Sequence, residues 1–251
     1  MRALVTGASS GIGRALALRL AARGMDVWLA ARQVPALEAL AAEIGARAHV
    51  FPLDVAKLDE TVAAVTRLDD ETGGLDLVVA NAGIGGSPRY VTEDSWERAR
   101  DILHTNLLGA VATLLPFTSR MAARGHGHLC GISSIAADIP LPRSVPYGAS
   151  KAGLTFFLSC ADLELRPKGV AVTIVHPGFI KTAMTAGIKE KLPLIMDVDK
   201  AADIIDRGLA RRARMVRFPW LTGAAARLVS SLPRAVAAPL IRRATRSDGK
   251  A

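Results

Sequence analysis

The chain has 251 residues, of which 50% are apolar, 22% charged and 4% aromatic, and its formal net charge is +9. These values fit one globular domain, or at most two small ones, and exclude a disordered, collagenous or repeat-dominated protein. The charge is unevenly placed, because eleven lysines and arginines face one acid between Arg207 and the C-terminus. That segment carries +10, and the residues before it are almost neutral.

The start of the chain and its cysteines predict an intracellular setting. The first residues lack the basic, apolar and small-residue order of a secretory signal, so we expect a cytoplasmic protein. Cys130 and Cys160 lie in apolar surroundings and are predicted to be small buried residues, not disulfide or metal ligands. The longest charge-free run, residues 102–119, contains His104 and Pro116, and it predicts a helix covered by protein in preference to a membrane span.

Short apolar strands alternate with helices through most of the chain. Strands that are apolar on both faces are covered on both sides, which predicts an α/β fold with a doubly wound parallel sheet of the Rossmann type. The predicted strands are residues 2–6, 26–31, 48–53, 75–80, 127–133 and 170–175, and the first predicted helices are residues 12–22, 35–44 and 58–72.

The C-terminal part has a different pattern. Pro219, Pro233 and Pro239 divide short stretches rich in Ala, Leu and Arg, which predicts broken helices. We therefore expect a single Rossmann-type domain at residues 1–218, with a substrate lid at about 182–198. A basic helical extension follows at 219–251.

A glycine-rich turn, Thr6-Gly-Ala-Ser-Ser-Gly-Ile-Gly13, joins the first strand to the first helix. In a dinucleotide-binding fold this turn presents backbone N–H groups and a positive helix end to a pyrophosphate. Gly7 would allow the tight turn, Gly11 the approach of the phosphate and Gly13 close helix packing; the alternative is a plain tight turn. The predicted cofactor-binding residues here are Gly7, Ser9, Ser10, Gly11, Ile12 and Gly13.

The end of the second strand bears on the choice of cofactor. It reads Leu29-Ala-Ala-Arg32 and has no carboxylate to accept a bond from a ribose 2′-hydroxyl. Arg32 can instead pair with a 2′-phosphate, which favours NADP(H) over NAD(H). The alternative is a solvated surface arginine.

Tyr147 and Lys151 stand four residues apart, and so one turn apart on the same face of a helix. A nearby lysine cation lowers the pKa of a phenol and makes proton transfer at a carbonyl or alcohol oxygen feasible. Ser134 ends the fifth strand thirteen residues earlier, at the sheet edge where such folds bind ligands. Together the three residues predict an acid-base site.

In these motifs the sequence resembles the short-chain dehydrogenase/reductase family from residue 2 to about residue 182. The resemblance implies that Tyr147 exchanges the proton, Ser134 orients the substrate oxygen, and Lys151 binds the nicotinamide ribose. It also implies that Asn106 supports a proton-relay water. Further cofactor contacts implied in the same way are Asp54, Val55, Asn81, Ala82, Gly83, Pro177, Gly178, Ile180 and Thr182.

The resemblance implies a homodimer or homotetramer that acts on a small-molecule carbonyl or alcohol. Apolar residues in the loops at 84–94, 136–146 and 182–198 favour a hydrophobic substrate. His126 and His128 are predicted to lie in a surface turn and not at a metal, and His176 is predicted to be structural.

Two interpretations of the basic extension stay open. It could make peripheral contact with an anionic membrane, or its helices could cover the sheet or a neighbouring subunit. Nucleic-acid binding is not expected, because few aromatic residues accompany the charge. An NADP(H)-dependent carbonyl reductase is therefore weighed against a non-catalytic NADP-binding or membrane-associated protein of the same fold.

Overall fold

The structure is a computed structural model that describes residues 1–86, 92, 95–142, 144–186 and 194–244. Within these residues the chain forms one sheet of seven parallel strands in the order β3-β2-β1-β4-β5-β6-β7. The strands are β1 (Arg2–Thr6), β2 (Asp26–Ala31), β3 (Ala48–Pro52), β4 (Leu77–Ala80), β5 (Gly127–Ile132), β6 (Val170–Pro177) and β7 (Met215–Phe218). The order reverses between β1 and β4, as in a doubly wound fold.

Helices cover both faces of the sheet, as the apolar strands predict. They are α1 (Gly11–Ala22), α2 (Val34–Ile44), α3 (Leu58–Glu71), α4 (Trp96–Leu103), α5 (Gly109–Arg124), α6 (Val145–Leu165), α7 (Ala183–Ala186), α8 (Val198–Ala210), α9 (Trp220–Ser231) and α10 (Arg234–Ala244). One core cluster joins α1, α2 and α8 to the sheet, and a second joins α3, α5 and α6 to the other face. Val5 and Leu4 of β1 face these two clusters in turn, since side chains alternate along a strand.

Two strands differ from their predicted form. The edge strand β7 was not predicted, because its four residues include Arg217 and are too few to show a clear alternation. Strand β6 continues through His176 to Pro177, two residues further than predicted, and all eight of its residues are buried.

A π-helical turn, His104–Leu108, connects α4 to α5, so that the whole helix runs over Trp96–Arg124. By length and composition alone this helix could cross a membrane. One of its faces packs on the sheet, since Leu114, Phe117 and Met121 have no exposed surface. Leu108 and Leu115 on another face are 45% and 52% exposed. The helix was predicted to be covered by protein, and within this chain only one of its sides is covered.

The prediction that both cysteines are buried is wrong for one of them. Cys130 is buried in β5, whereas Cys160 is exposed on α6. The buried stripe of α6 contains Leu154, Leu158 and Leu165, and residue 160 lies off this stripe on the helix surface.

Candidate active site

Hydrogen bonds join β1 and β4 at the point where the strand order reverses. The Thr6 hydroxyl accepts bonds from the backbone N–H groups of Asn81 and Ala82, at 3.0 and 3.1 Å. The Asn81 amide donates in return to the carbonyl oxygens of Thr6 and Gly7. The glycine-rich turn and the loop after β4 are thus fixed against each other at the carboxyl ends of the strands, where ligands bind in this fold.

The glycine-rich turn has a shape that only glycine allows at two positions. Gly7 has φ +66°, and a Cβ at Gly13 would lie 2.3 Å from the Gly7 carbonyl oxygen. A Cβ at Gly11 would lie 3.3 Å from the Thr182 side chain, so Thr182 lies over the turn. Ser10 precedes the first turn of α1 and makes no side-chain capping bond. The N-terminal N–H groups of α1 are therefore without a side-chain cap, and the turn fits a phosphate.

The basic residues beside this turn differ in their contacts. Arg14 forms an ion pair with Glu43 on α2. Arg32 follows β2 directly, is exposed, and has no side-chain partner within the described part of the chain. The turn reaches this strand end, because the Ala8 N–H donates to the Ala30 carbonyl oxygen at 3.1 Å.

Tyr147, Ser134 and Lys151 come together as predicted. Tyr147 and Lys151 lie in the first turns of α6, and the Lys151 Nζ is 5.8 Å from the centre of the phenol ring. The Ser134 side chain lies close enough to the phenol to lower its pKa, and the Ser134 hydroxyl accepts a bond from the Ala136 N–H. Lys151 is 4% exposed, and its ammonium donates to the Ile132 carbonyl oxygen at 2.8 Å.

Asn106 lies in the π-turn and holds the loop after β4. Its Nδ2 donates to the Ile84 carbonyl oxygen at 2.9 Å, and its Oδ1 accepts from the Ile84 N–H at 2.7 Å. A Cβ at Gly83 would meet the Asn106 Oδ1 at 3.1 Å and the Lys151 Nζ at 3.6 Å. The loop therefore runs directly past the lysine. Single π-turns within α-helices are frequent at functional sites, and this one places the Asn106 side chain against the loop.

Burial disfavours the charged forms of both residues of the Tyr-x-x-x-Lys motif. Desolvation raises the pKa of the Tyr147 phenol, and the hydrogen bond from Ser134 opposes that shift. Desolvation lowers the pKa of the Lys151 ammonium to about 8. In this state of the protein, burial outweighs the lowering of the tyrosine pKa that the resemblance implies.

The remaining predicted cofactor residues lie along the same edge of the sheet. Asp54 follows β3 and accepts a bond from the Ala56 N–H, while Val55 is buried. Pro177 ends β6, and the Gly178 N–H donates to the Phe218 carbonyl oxygen at 2.7 Å. Ile180 is buried, and a single parallel bridge joins it to Met196.

That bridge joins the two ends of the predicted lid. A cleft of about 490 Å³ beside it is lined by Lys181, Thr182, Ala183, Thr185, Ala186 and Ile195. Met184 is 47% exposed and would contact a Cβ at Gly85, so the lid meets the loop after β4. The predicted lid residues Ile188 and Leu192 lie outside the described residues.

Residues without a predicted role also contribute to this edge. The hydroxyls of Thr6 and Ser133 both bind backbone groups of neighbouring elements. In the sequence, the only signal for these two residues is that each directly precedes a predicted site residue, Gly7 or Ser134. The prediction of a surface turn is wrong for His128, which is buried in β5, where desolvation lowers its pKa to about 4, whereas His126 is exposed before the strand. Among the described residues, no group of three or more His, Cys, Asp or Glu is placed to hold a metal ion.

Solved structures with this fold include two from bacteria. A short-chain dehydrogenase from Sphingobium yanoikuyae in complex with NADPH is 30% identical, has a TM-score of 0.79, and the match covers 93% of this chain and 97% of that one. A short chain dehydrogenase from Burkholderia cenocepacia in complex with NADP is 26% identical, with a TM-score of 0.82 and coverage of 96% and 97%.

Sequence comparisons agree with the structural ones. A family model described as short chain dehydrogenase matches residues 1–193. An uncharacterized oxidoreductase from Myxococcus xanthus is 44% identical over 234 residues, which is 92% of each chain. The relationship thus extends beyond the glycine-rich turn to nearly the whole length. The chain belongs to the short-chain dehydrogenase/reductase family of oxidoreductases.

Proposed function

We propose that the protein is an NADP(H)-dependent reductase of carbonyl compounds, or a dehydrogenase of the matching secondary alcohols. The observation that carries this proposal is the group formed by the Tyr147 phenol, the Ser134 hydroxyl and the buried Lys151 ammonium beside Gly83. A non-catalytic role would not require these groups at the ligand-binding edge of the sheet.

The residues present fit a dinucleotide. The glycine-rich turn and the start of α1 would hold the pyrophosphate, while Asp54, Val55 and residues 81–83 would lie by the adenosine. Lys151 would bind the nicotinamide ribose, and Pro177, Gly178, Ile180 and Thr182 would lie towards the nicotinamide amide. When bound, the nicotinamide supplies or accepts the hydride at the substrate carbon.

The chain's own residues handle the proton. In reduction the Tyr147 phenol donates its proton to the carbonyl oxygen, and in oxidation the phenolate takes the proton from the alcohol. The Ser134 hydroxyl, which lies beside the phenol, orients the same oxygen. The Lys151 cation stabilises the phenolate, and Asn106 supports a water that returns the proton.

A ketone panel with NADPH tests this proposal. We expect NADPH oxidation with apolar ketones, and a fall in kcat of about 100-fold or more for Tyr147→Phe with unchanged circular dichroism. Near-wild-type turnover by this variant would refute the role of Tyr147. The apolar lid residues Met184 and Ile195, 47% and 39% exposed, support a hydrophobic substrate.

The preference for NADP(H) rests on Arg32. Arg32 is exposed directly after β2 and has no side-chain partner among the described residues, whereas Arg14 is paired with Glu43. Loss of an arginine–phosphate contact weakens binding by about 10- to 100-fold, so Arg32→Ala should raise the KM for NADPH and leave the KM for NADH unchanged. The control is Arg47→Ala, because Arg47 is an exposed arginine that directly precedes β3, at the amino ends of the strands. Equal efficiency with both cofactors in the wild type would overturn the preference.

Two exposed helix faces support a homodimer, or a homotetramer built from it. Leu108 and Leu115 are seven residues apart on one helix, and Phe156 and Leu163 are seven apart on α6, with exposures from 45% to 75%. Pairing of these apolar faces with a second copy would cover them. Leu115→Glu should lower the mass measured by sedimentation, and an unchanged mass would exclude this face.

The basic extension supports a second proposal, peripheral contact with an anionic membrane. Trp220, Leu228, Val236 and Leu240 are each at least 47% exposed on α9 and α10, close in sequence to Arg234 and Arg242. Vesicles with anionic lipid should then sediment with the protein better than neutral vesicles. The contact would be excluded if the protein sedimented equally with anionic and neutral vesicles, and if removal of residues 219–251 left the sedimented fraction unchanged.

A further inference from the structure

A chain of buried and partly buried polar side chains lies behind the Tyr-x-x-x-Lys motif. His176 on β6 has no exposed surface, and its Nδ1 is 2.8 Å from the Asp138 Oδ2. Its Nε2 is 3.0 Å from the Thr155 hydroxyl on α6. That hydroxyl is 2.8 Å from the Ser133 hydroxyl, which donates to the Lys151 carbonyl oxygen at 2.9 Å. We call Asp138, His176, Thr155 and Ser133 the polar chain.

The far end of the polar chain is held by an arginine. Arg217 lies directly opposite His176 in the register of β6 and β7. Its Nε and Nη2 donate to the two carboxylate oxygens of Asp138, at 3.1 and 3.2 Å. Burial alone would raise the pKa of Asp138, but its bonds from Arg217 and His176 lower it, so the carboxyl group is an anion that only accepts hydrogen bonds.

The number of hydrogens decides which bonds can form. The four contacts from Asp138 to the Lys151 carbonyl oxygen need four hydrogens, and the two hydroxyls supply one each. A neutral His176 supplies one more, which must be on Nδ1 because Asp138 cannot donate. Ser133 donates its single hydrogen to the Lys151 carbonyl oxygen, which can only accept, so the Thr155 hydrogen is the one that Nε2 and the Ser133 oxygen share.

Desolvation lowers the pKa of His176, and Asp138 opposes this shift, so the neutral form prevails at neutral pH. Asp138 fixes the Nδ1–H tautomer from one side of the ring, and the Thr155 hydroxyl contacts Nε2 on the other side. The polar chain therefore connects β7, the turn after β5 and β6 to the backbone of the lysine itself.

We propose that Thr155 is a positioning residue for Lys151, held by His176 and acting through Ser133. The backbone of Lys151 is fixed by the Ser133 hydroxyl, and its ammonium by the Ile132 carbonyl oxygen, the residue next to Ser133. The two ends of the lysine thus depend on adjacent residues of one strand end. This inference extends the proposed function to residues outside the Asn106, Ser134, Tyr147 and Lys151 set.

Kinetics of matched threonine variants test the proposal. Thr155→Val keeps the shape and removes the hydroxyl, and we expect kcat to fall about tenfold because a displaced Lys151 supports the phenolate less well. For the same reason the rise of alcohol oxidation with pH should move to higher pH. Thr155→Ser should restore kcat to within about twofold of the wild type. The control is Thr113→Val, a buried threonine whose hydroxyl donates only to the Gly109 carbonyl oxygen of its own helix.

A measurement without turnover separates this inference from the proposed function. Nitrogen-15 spectra of the histidine rings, assigned with His176→Gln, should show the hydrogen of His176 on Nδ1 at neutral pH. The Nε2 signal should move in Thr155→Val and stay in place in Thr113→Val. A His176 ring without a hydrogen on Nδ1, or kinetics of Thr155→Val that equal those of Thr113→Val, would overturn the proposal. An inactive wild type would overturn the proposed function, while the spectra still decide whether the polar chain exists.

Discussion

Replacement of Gly13 by alanine tests how tightly α1 is packed on the glycine-rich turn. The new Cβ would lie 2.3 Å from the Gly7 carbonyl oxygen and 2.4 Å from the Asn81 Nδ2, closer than real contacts allow. Neither atom yields freely, since one belongs to the backbone and the other donates to the Thr6 carbonyl oxygen at 2.8 Å. The helix must therefore move away from the turn by about 1 Å.

Two opposing effects set the size of the loss. Alanine gains about 1 kcal/mol over glycine inside a helix. Overpacking costs about 1–3 kcal/mol, and loss of the partly buried Asn81 bond adds about 1 kcal/mol. The clash wins, so we expect Gly13→Ala to lower the free energy of unfolding by about 2 kcal/mol.

Urea unfolding measures the free energy of unfolding, and NADPH fluorescence measures the affinity for the cofactor. Gly125→Ala is the control, because Gly125 lies in the left-handed region at φ +70° and ψ 9° and has no atom within 4 Å of an added Cβ. It should lose about 1 kcal/mol from backbone strain alone and keep its NADPH affinity. Gly13→Ala should lose NADPH affinity as well. A Gly13→Ala protein that is as stable as the wild type would refute the packing argument.

Three further predictions concern stability. Asp69 is 2% exposed and bonded to Arg120, Arg124 and the Leu75 N–H, which outweigh desolvation and lower its pKa. The ionised Asp69 therefore stabilises the fold above the unfolded pKa, and this stabilisation is lost as the pH falls through the folded pKa. We expect Asp69→Asn to lower the free energy of unfolding by about 2 kcal/mol at pH 7. In urea titrations the difference in the free energy of unfolding between wild type and variant should shrink below about pH 4. Phe117→Ala should cost about 4 kcal/mol in the same assay because this side chain is fully buried, and a loss below about 1 kcal/mol would contradict its place in the core. The pKa of Lys151 is lowered to about 8, so above that pH the unfolded chain binds more protons than the folded chain. The free energy of unfolding of the wild type, relative to Lys151→Met, should therefore rise by about 2–3 kcal/mol between pH 8 and about 10.5. A difference that does not change with pH would exclude the burial of the charge.

The sequence predicted the elements whose signals are local. The strands from β1 to β6 are mostly apolar, and the glycine-rich turn has a fixed spacing, so both could be placed within a few residues. Tyr147 and Lys151 share a helix, which makes their proximity a matter of helix geometry. Ser134 joined them because parallel strands end at one edge of the sheet.

Features set by distant contacts could not be predicted. The edge strand β7 forms because β6 offers a free edge, and its own four residues give no clear pattern. The exposure of Cys160 depends on which face of α6 meets the sheet. The pairing of Arg14 with Glu43 needs two helices side by side, and the contacts of His176 need four separate segments.

The π-turn at residues 104–108 has a consequence for insertions and deletions in this helix. It contains one more residue per turn than an α-helix, so the faces of α4 and α5 are out of phase by about 100°. That offset lets α5 keep Leu114 and Phe117 on the sheet while Asn106 reaches the Ile84 backbone. Deletion of one residue here would restore a regular helix and turn one of the two faces away from its partner. A related chain shorter by one residue at this position should therefore keep the sheet contacts and lose the two hydrogen bonds that join the residue 106 side chain to the loop after β4.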